Sequence, residues 1–130
     1  MIKKTLKRVG VVIVTYDSQD YIRMCLKSIL SNTYPNFEIL VIDNSSQDKT
    51  VAIVKKEKKK VKLIKNDINI GFGAANNIGI NYLLKKNCDF FLLLNPDTVS
   101  SPNLIKNLVN IFEKDEKIGI AGCIITYAKN

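Results

Sequence analysis

Apolar residues alternate along the chain between two rhythms. Val9 to Thr15 is a nearly unbroken β-branched run, the pattern of a parallel strand covered on both faces. Ile22, Cys25, Leu26, Ile29 and Leu30 then recur at i, i+3, i+4, i+7 and i+8, which lays one apolar stripe along a helix. Ser18 or Asp20 can cap that helix, and Tyr34-Pro35-Asn36 stops it. Phe37 to Ile42 returns to strand, and in the turn Asp43-Asn44-Ser45-Ser46 the last serine can cap a helix carrying Val51, Ile53 and Val54. Val61 to Ile64 predicts a short third strand, Asn66 to Gly73 a loop, Ala74 to Leu84 a helix and Phe90 to Leu94 a fourth strand. Ser101-Pro102 opens a helix with Leu104, Ile105, Leu108, Val109 and Phe112 on its apolar stripe, and Ile118 to Thr126 predicts a fifth strand. Strand and helix alternate throughout, so the fold class is α/β: an open, doubly wound, mostly parallel sheet with right-handed crossovers, read as a single domain over residues 1–130 with about five strands and four helices.

With 46% hydrophobic and 25% charged residues in 130, the chain can bury one core. No apolar run approaches the roughly 18 residues of a membrane-spanning helix. Met1-Ile2-Lys3-Lys4 with Lys7-Arg8 before Val9 imitates a secretory leader, but Thr15-Tyr16-Asp17 ends the apolar part without a small-residue cleavage site, and a cytoplasmic location is expected. Cys25, Cys88 and Cys123 form no C-x-x-C pair and each adjoins an apolar stretch suited to a reduced, buried thiol. Histidine is absent, which excludes a Ser-His-Asp triad, a Cys-His pair and any imidazole metal site. The net charge of +8 favours anionic partners, although 18 of the 20 bases are lysine in a chain also crowded with Ile and Asn.

In open α/β sheets ligands bind beyond the carboxyl ends of the strands, where strand order reverses. The residues there are Thr15-Tyr16-Asp17, Asp43-Asn44-Ser45, Asn66-Asp67 with Asn69 to Gly73, and Asn95-Pro96-Asp97, so every end offers a carboxylate. Asp and Asn also cap turns, but their joint placement at one edge points to a site. Tyr16-Asp17-Ser18-Gln19 has no glycine, which argues against a nicotinamide or flavin fold. Gly71-Phe72-Gly73-Ala74-Ala75-Asn76 imitates G-x-G-x-x-G but follows the third strand and ends in asparagine; its glycines suit a tight bend and close backbone approach. No P-loop motif exists.

Val11 to Tyr16, Cys25 to Leu30, Tyr34 to Ser46 with Asp48, Asn69 to Gly73 with Asn76 to Gly79, and Leu93 to Thr98 resemble family 2 glycosyltransferases of the GT-A fold, and the last stretch resembles the rhamnosyltransferase-type branch. The resemblance spans Val9 to about Thr126. It implies an inverting, metal-assisted transfer from a nucleoside-diphosphate-sugar, with dTDP-rhamnose one candidate, to a saccharide or lipid-linked acceptor, as in polysaccharide and cell-envelope synthesis. Carried over, it implies that Thr15, Tyr16 and Asp17 line the nucleotide pocket and that Asp43 binds a pyrimidine base. It further implies that Asn69, Gly71, Phe72 and Asn76 shape the donor side, and that Asn95 and Asp97 bind the nucleotide-sugar, with Asp97 holding Mg2+ or Mn2+. At its strand end, Asp43 is expected to bond the base rather than the core.

Two positions depart from the commoner family pattern. Asn95-Pro96-Asp97 stands where many relatives have Asp-x-Asp, which removes one charge from the metal site, and Asp17 stands where Asn is commoner. The resemblance also implies that a complete domain needs a further segment for the acceptor and for the carboxylate base. The chain is therefore expected to be a donor-binding part, truncated at its C-terminal end, that binds donor without transferring the sugar, and its exposed apolar faces suggest a homo-oligomer. A competing reading is a non-catalytic nucleotide-binding or interaction module built on Lys55-Lys56-Glu57-Lys58-Lys59-Lys60, Lys62 and Lys65. No aromatic residues interleave with these lysines, so nucleic acid is disfavoured against a peripheral position at the inner face of the cell membrane.

Overall fold

A computed structural model of the chain describes residues 5–127; Met1 to Lys4, where the leader-like stretch begins, lie outside the described residues, as do 128–130. The elements follow in strict alternation: β1 (Val9–Thr15), α1 (Ile22–Leu30), β2 (Phe37–Asp43), α2 (Thr50–Lys56), β3 (Val61–Lys65), α3 (Phe72–Leu84), β4 (Phe90–Leu94) and α4 (Leu104–Lys114). All strands are parallel in the order β3-β2-β1-β4, with Val9 opposite Phe37 on one side of β1 and opposite Phe90 on the other. The central β1 is buried along its whole length, as its unbroken apolar run requires. Its alternate residues feed two cores: Val9, Val11 and Ile13 pack with α1 and α4, and Val12 and Val14 pack with α3.

Helix α3 lies unusually close to the sheet because glycine faces a bulky side chain at two places. A Cβ on Gly79 would fall 2.6 Å from Val12 Cγ1, and one on Gly10 would fall 2.6 Å from Leu83 Cδ1. Both are far inside van der Waals contact, so only the absent side chains allow the approach.

The fold class is as the sequence predicts, but the fifth strand is not. Residues 118–127 pair with no strand, and Ile120, Ile124 and Ile125 stand at least 84% exposed. An apolar run becomes a strand only by finding a ladder, and Gly119 and Gly122 add conformational freedom to this one. Instead Gly119, Ile120 and Ala121 border an apolar groove of about 400 Å³ between β4 and α4. Helix starts also shift. The first turn of α1 is closed by backbone bonds from Tyr21 and Ile22 to the Ser18 carbonyl, with no side-chain cap, and α4 begins two residues past Pro102. Cys25 and Cys88 are free and buried, whereas Cys123 is exposed because its segment is unpaired.

Candidate functional site

Strand order reverses between β1 and β4, and a crevice of about 350 Å³ opens there at the carboxyl ends of the strands. Val14 and Tyr16 follow β1 to its rim, Asn44 follows β2, and Asn95, Pro96 and Asp97 follow β4. Tyr21 comes from the start of α1, Asn69 from the loop after β3, and Phe72 from the first residue of α3. Tyr16, Tyr21 and Phe72 are each more than half exposed, an arrangement suited to a flat, partly apolar ligand.

Beneath the crevice the two post-strand loops are stitched together. Thr15 and Asp43 face each other in register, and the Thr15 hydroxyl donates to Asp43 Oδ1 at 3.0 Å. The Ser46 hydroxyl donates to the same oxygen at 2.6 Å, and the Ser46 backbone N–H donates to Oδ2 at 3.1 Å. Asp17 takes a left-handed backbone (φ 45°), and its carboxylate accepts the N–H groups of Gln47 (2.7 Å) and Asp48 (3.3 Å). The Asp48 carboxylate accepts from Gln19 and Thr50; burial raises its pKa somewhat, but these hydrogen bonds outweigh it and hold the carboxyl below its ordinary range.

The sequence-predicted residues therefore divide. Tyr16, Asn69, Phe72, Asn95 and Asp97 meet at the crevice. Thr15 and Asp43 lie directly below it with 0% exposure, which corrects the expectation that Asp43 stands clear of the core: three of its roughly four acceptor positions are used by the protein. Asp17 is engaged by the 47–48 backbone, and Asn76 turns its amide onto the Phe72 carbonyl one turn back in α3. Gly71, at φ 87°, occupies the left-handed region and gives α3 its entry.

Sequence reasoning placed Asn44 at the strand-end edge without giving it a role, and did not assign Tyr21 or Ser46 to the site. Ser46 was read as a helix cap, yet it braces Asp43; an Asp followed three residues later by Ser is the signature of such a side-chain-to-backbone turn. Cys25 sits behind the β4 end, its thiol 3.5 Å from the Asn95 carbonyl. Burial pushes its pKa up to about 11 despite the Thr98 hydrogen bond, so it is a protonated core thiol and no nucleophile.

Among the described residues no group of three acidic or thiol ligands could hold a metal by itself. Among the described residues Asp97 is the single carboxylate lining the crevice, with Asn95 two residues away. Mg2+ and Mn2+ are commonly held by one or two carboxylates completed by substrate phosphate oxygens and water, and this donor set fits that mode.

A crevice at the switch point of an open parallel sheet is where α/β folds of this class bind their ligands. Residues 10–130 match the model of glycosyl transferase family 2, and the chain belongs to that family. An uncharacterized glycosyltransferase of Haemophilus influenzae is 32% identical over 117 residues, which cover 88% of this chain and 35% of that protein. The structure of S. aureus TarS 1-349 in complex with UDP-GlcNAc superposes with a TM-score of 0.74 at 26% identity, over 84% of this chain and 32% of that one. The mannosyltransferase PcManGT from Pyrobaculum calidifontis, in complex with GDP-Man and Mn2+, gives 0.71 at 21% identity over 83% and 33%, a likeness of fold alone. The fold is thus GT-A-like, and the chain spans about a third of the length of these relatives.

Proposed function

We propose that this chain is the donor-binding part of a glycosyltransferase that moves a sugar from a nucleoside-diphosphate-sugar to a saccharide or lipid-linked acceptor with inversion. The crevice joining Tyr16, Asn69, Phe72, Asn95 and Asp97 at the strand ends, in a chain of this family, carries the reading, and the UDP-GlcNAc bound by TarS supports it. Exposed Tyr16 offers its ring to the base, while Asp43, fully buried beneath it, keeps one acceptor position that a base N–H reaches only when the covering loops shift. In this reading Asn95 and Asp97, which line the crevice, face the donor diphosphate. Asp97, with Asn95 beside it, would hold a Mg2+ or Mn2+ ion, and such an ion would supply charge neutralisation to the departing diphosphate. The likeness of Leu93 to Thr98 to the rhamnosyltransferase branch makes dTDP-rhamnose the first donor to test.

In this reading Asp97 serves the metal, and the chain by itself is expected to bind donor without transferring the sugar. Its apolar β4 face favours self-association. The exposed lysines from Lys55 to Lys65, with Lys62 and Lys86 near 6 Å from the Tyr82 ring, suit a cytoplasmic, peripheral position on an anionic membrane surface. No described helix is long and apolar enough to cross a membrane.

The test is a thermal-shift titration of Mg2+ and Mn2+ with and without nucleotide sugars. Asp97→Asn should abolish the metal dependence of the shift, since an amide pair presents no charge to a hard cation, and Asn95→Asp should strengthen it. Identical metal curves for the wild type and both variants would move the cation elsewhere.

A further inference from the structure

Asn44 has no role in the reading above, yet its side chain is the most extensively bonded at the crevice. It is 2% exposed at the carboxyl end of β2, and every side-chain bond it makes crosses to the loop after β3. Its Nδ2 donates to Asn69 Oδ1 at 2.7 Å, while its Oδ1 accepts from Asn66 Nδ2 and from the backbone N–H of Ile70, both at 3.1 Å. Asn69 Oδ1 accepts in turn from the backbone N–H of Gly71 at 2.9 Å.

The direction of this relay is fixed by chemistry. A backbone N–H can only donate, so the amide atoms facing Ile70 and Gly71 must both be oxygens. The Asn44 nitrogen then has to face the Asn69 oxygen, and no flipped arrangement satisfies all four bonds. A carboxylate at position 44 could still accept from Asn66 and Ile70, but it would have nothing to donate to Asn69. Turning the Asn69 amide to compensate would strip Gly71 of its acceptor.

What the relay holds is the entrance to α3. Gly71 stands at φ 87°, and the next residue, Phe72, begins the helix and is 56% exposed at the crevice. The Asn44 backbone N–H is itself anchored to the Thr15 carbonyl at 2.7 Å, so the chain of bonds runs from the end of β1 through β2 to Phe72.

We propose that Asn44 is a positioning residue for the donor: through Asn69 and Gly71 it sets Phe72 at a fixed distance from Tyr16 and so fixes the width of the nucleotide-sugar crevice. This rests on the donor-binding reading. Preorganisation of this kind removes ordering entropy from the binding step, so its loss appears in affinity.

The experiment titrates UDP-GlcNAc, GDP-mannose and dTDP-rhamnose calorimetrically into wild type, Asn44→Asp, Asn44→Ala, Asn69→Ala and the double alanine variant, with amide hydrogen exchange on each. Asn44→Asp and Asn69→Ala should bind the preferred donor about tenfold more weakly while unfolding cooperatively. The double variant should bind no more weakly than Asn44→Ala, because both changes cut one relay. Exchange should accelerate at the Gly71 amide and stay unchanged at the Ser46 amide, which Asp43 holds. A merely structural Asn44 would move both amides together. Asn69 is exposed, so its variant keeps the test open should Asn44→Ala fail to fold. Full affinity in Asn44→Asp and Asn69→Ala, beside a wild type that binds, overturns the positioning role alone. A wild type that binds none of the three donors overturns the donor reading and this role with it.

Discussion

Gly79→Val is expected to lower the unfolding temperature by about 10 °C. The first added carbon would sit 2.6 Å from Val12 Cγ1 and 3.0 Å from Cγ2, and Val12 lies at 0% exposure in the central strand with nowhere to retreat. Overpacking of a dense core costs about 1 to 3 kcal/mol, and a domain of this size loses a few degrees per kcal/mol. The reciprocal contact of Gly10 with Leu83 leaves α3 no second place to yield. Gly73→Ala is the control: nothing lies within 4 Å of the new methyl, and alanine is the better helix former, so the midpoint should hold or rise. Val12→Ala should partly rescue Gly79→Val by opening the space it needs. Equal midpoints for the Gly79 and Gly73 variants, or no rescue, would remove close packing as the reason for glycine at these positions.

Asp43→Ala is expected to lose both stability and donor affinity. The truncation leaves the Thr15 hydroxyl and both Ser46 donors without their acceptor, in a place with no exposure for Thr15 or Asp43. Orphaned buried donors cost about 1 to 3 kcal/mol, and if Asp43 bonds the base as proposed, nucleotide binding should weaken roughly ten- to a hundredfold. Denaturant unfolding and calorimetry measure the two losses separately. A fall in stability with wild-type affinity would confine Asp43 to bracing the loops and remove it from the base site. Ser46→Ala, which keeps the backbone donor, should lose less of both.

The eight regular elements were legible because each is announced locally, β1 by its β-branched run and α1 by its i, i+3, i+4 stripe. The crevice was legible because topology alone sends every strand end to one edge. What stayed hidden depends on partners distant in sequence. Gly10 meets Leu83 and Gly79 meets Val12 only once α3 is laid on β1; Asn44 finds Asn66 and Asn69 only when β3 has docked beside β2. The same blindness produced the fifth strand, since residues 118–126 carry strand-like side chains but pair with no strand.

The two margins of the sheet are unlike in a way that bears on how the chain behaves in solution. Strand β3 forms one margin and presents exposed Lys62 and Lys65, charges that repel any second strand seeking its open hydrogen bonds. Strand β4 forms the other with Phe90-Phe91-Leu92-Leu93-Leu94, five apolar residues with no gatekeeping charge, beside an unfilled groove. Any self-association of this chain is therefore expected through β4: refolding yield should fall with concentration, and a single lysine placed on that margin should do more for solubility than the many already carried at the opposite one.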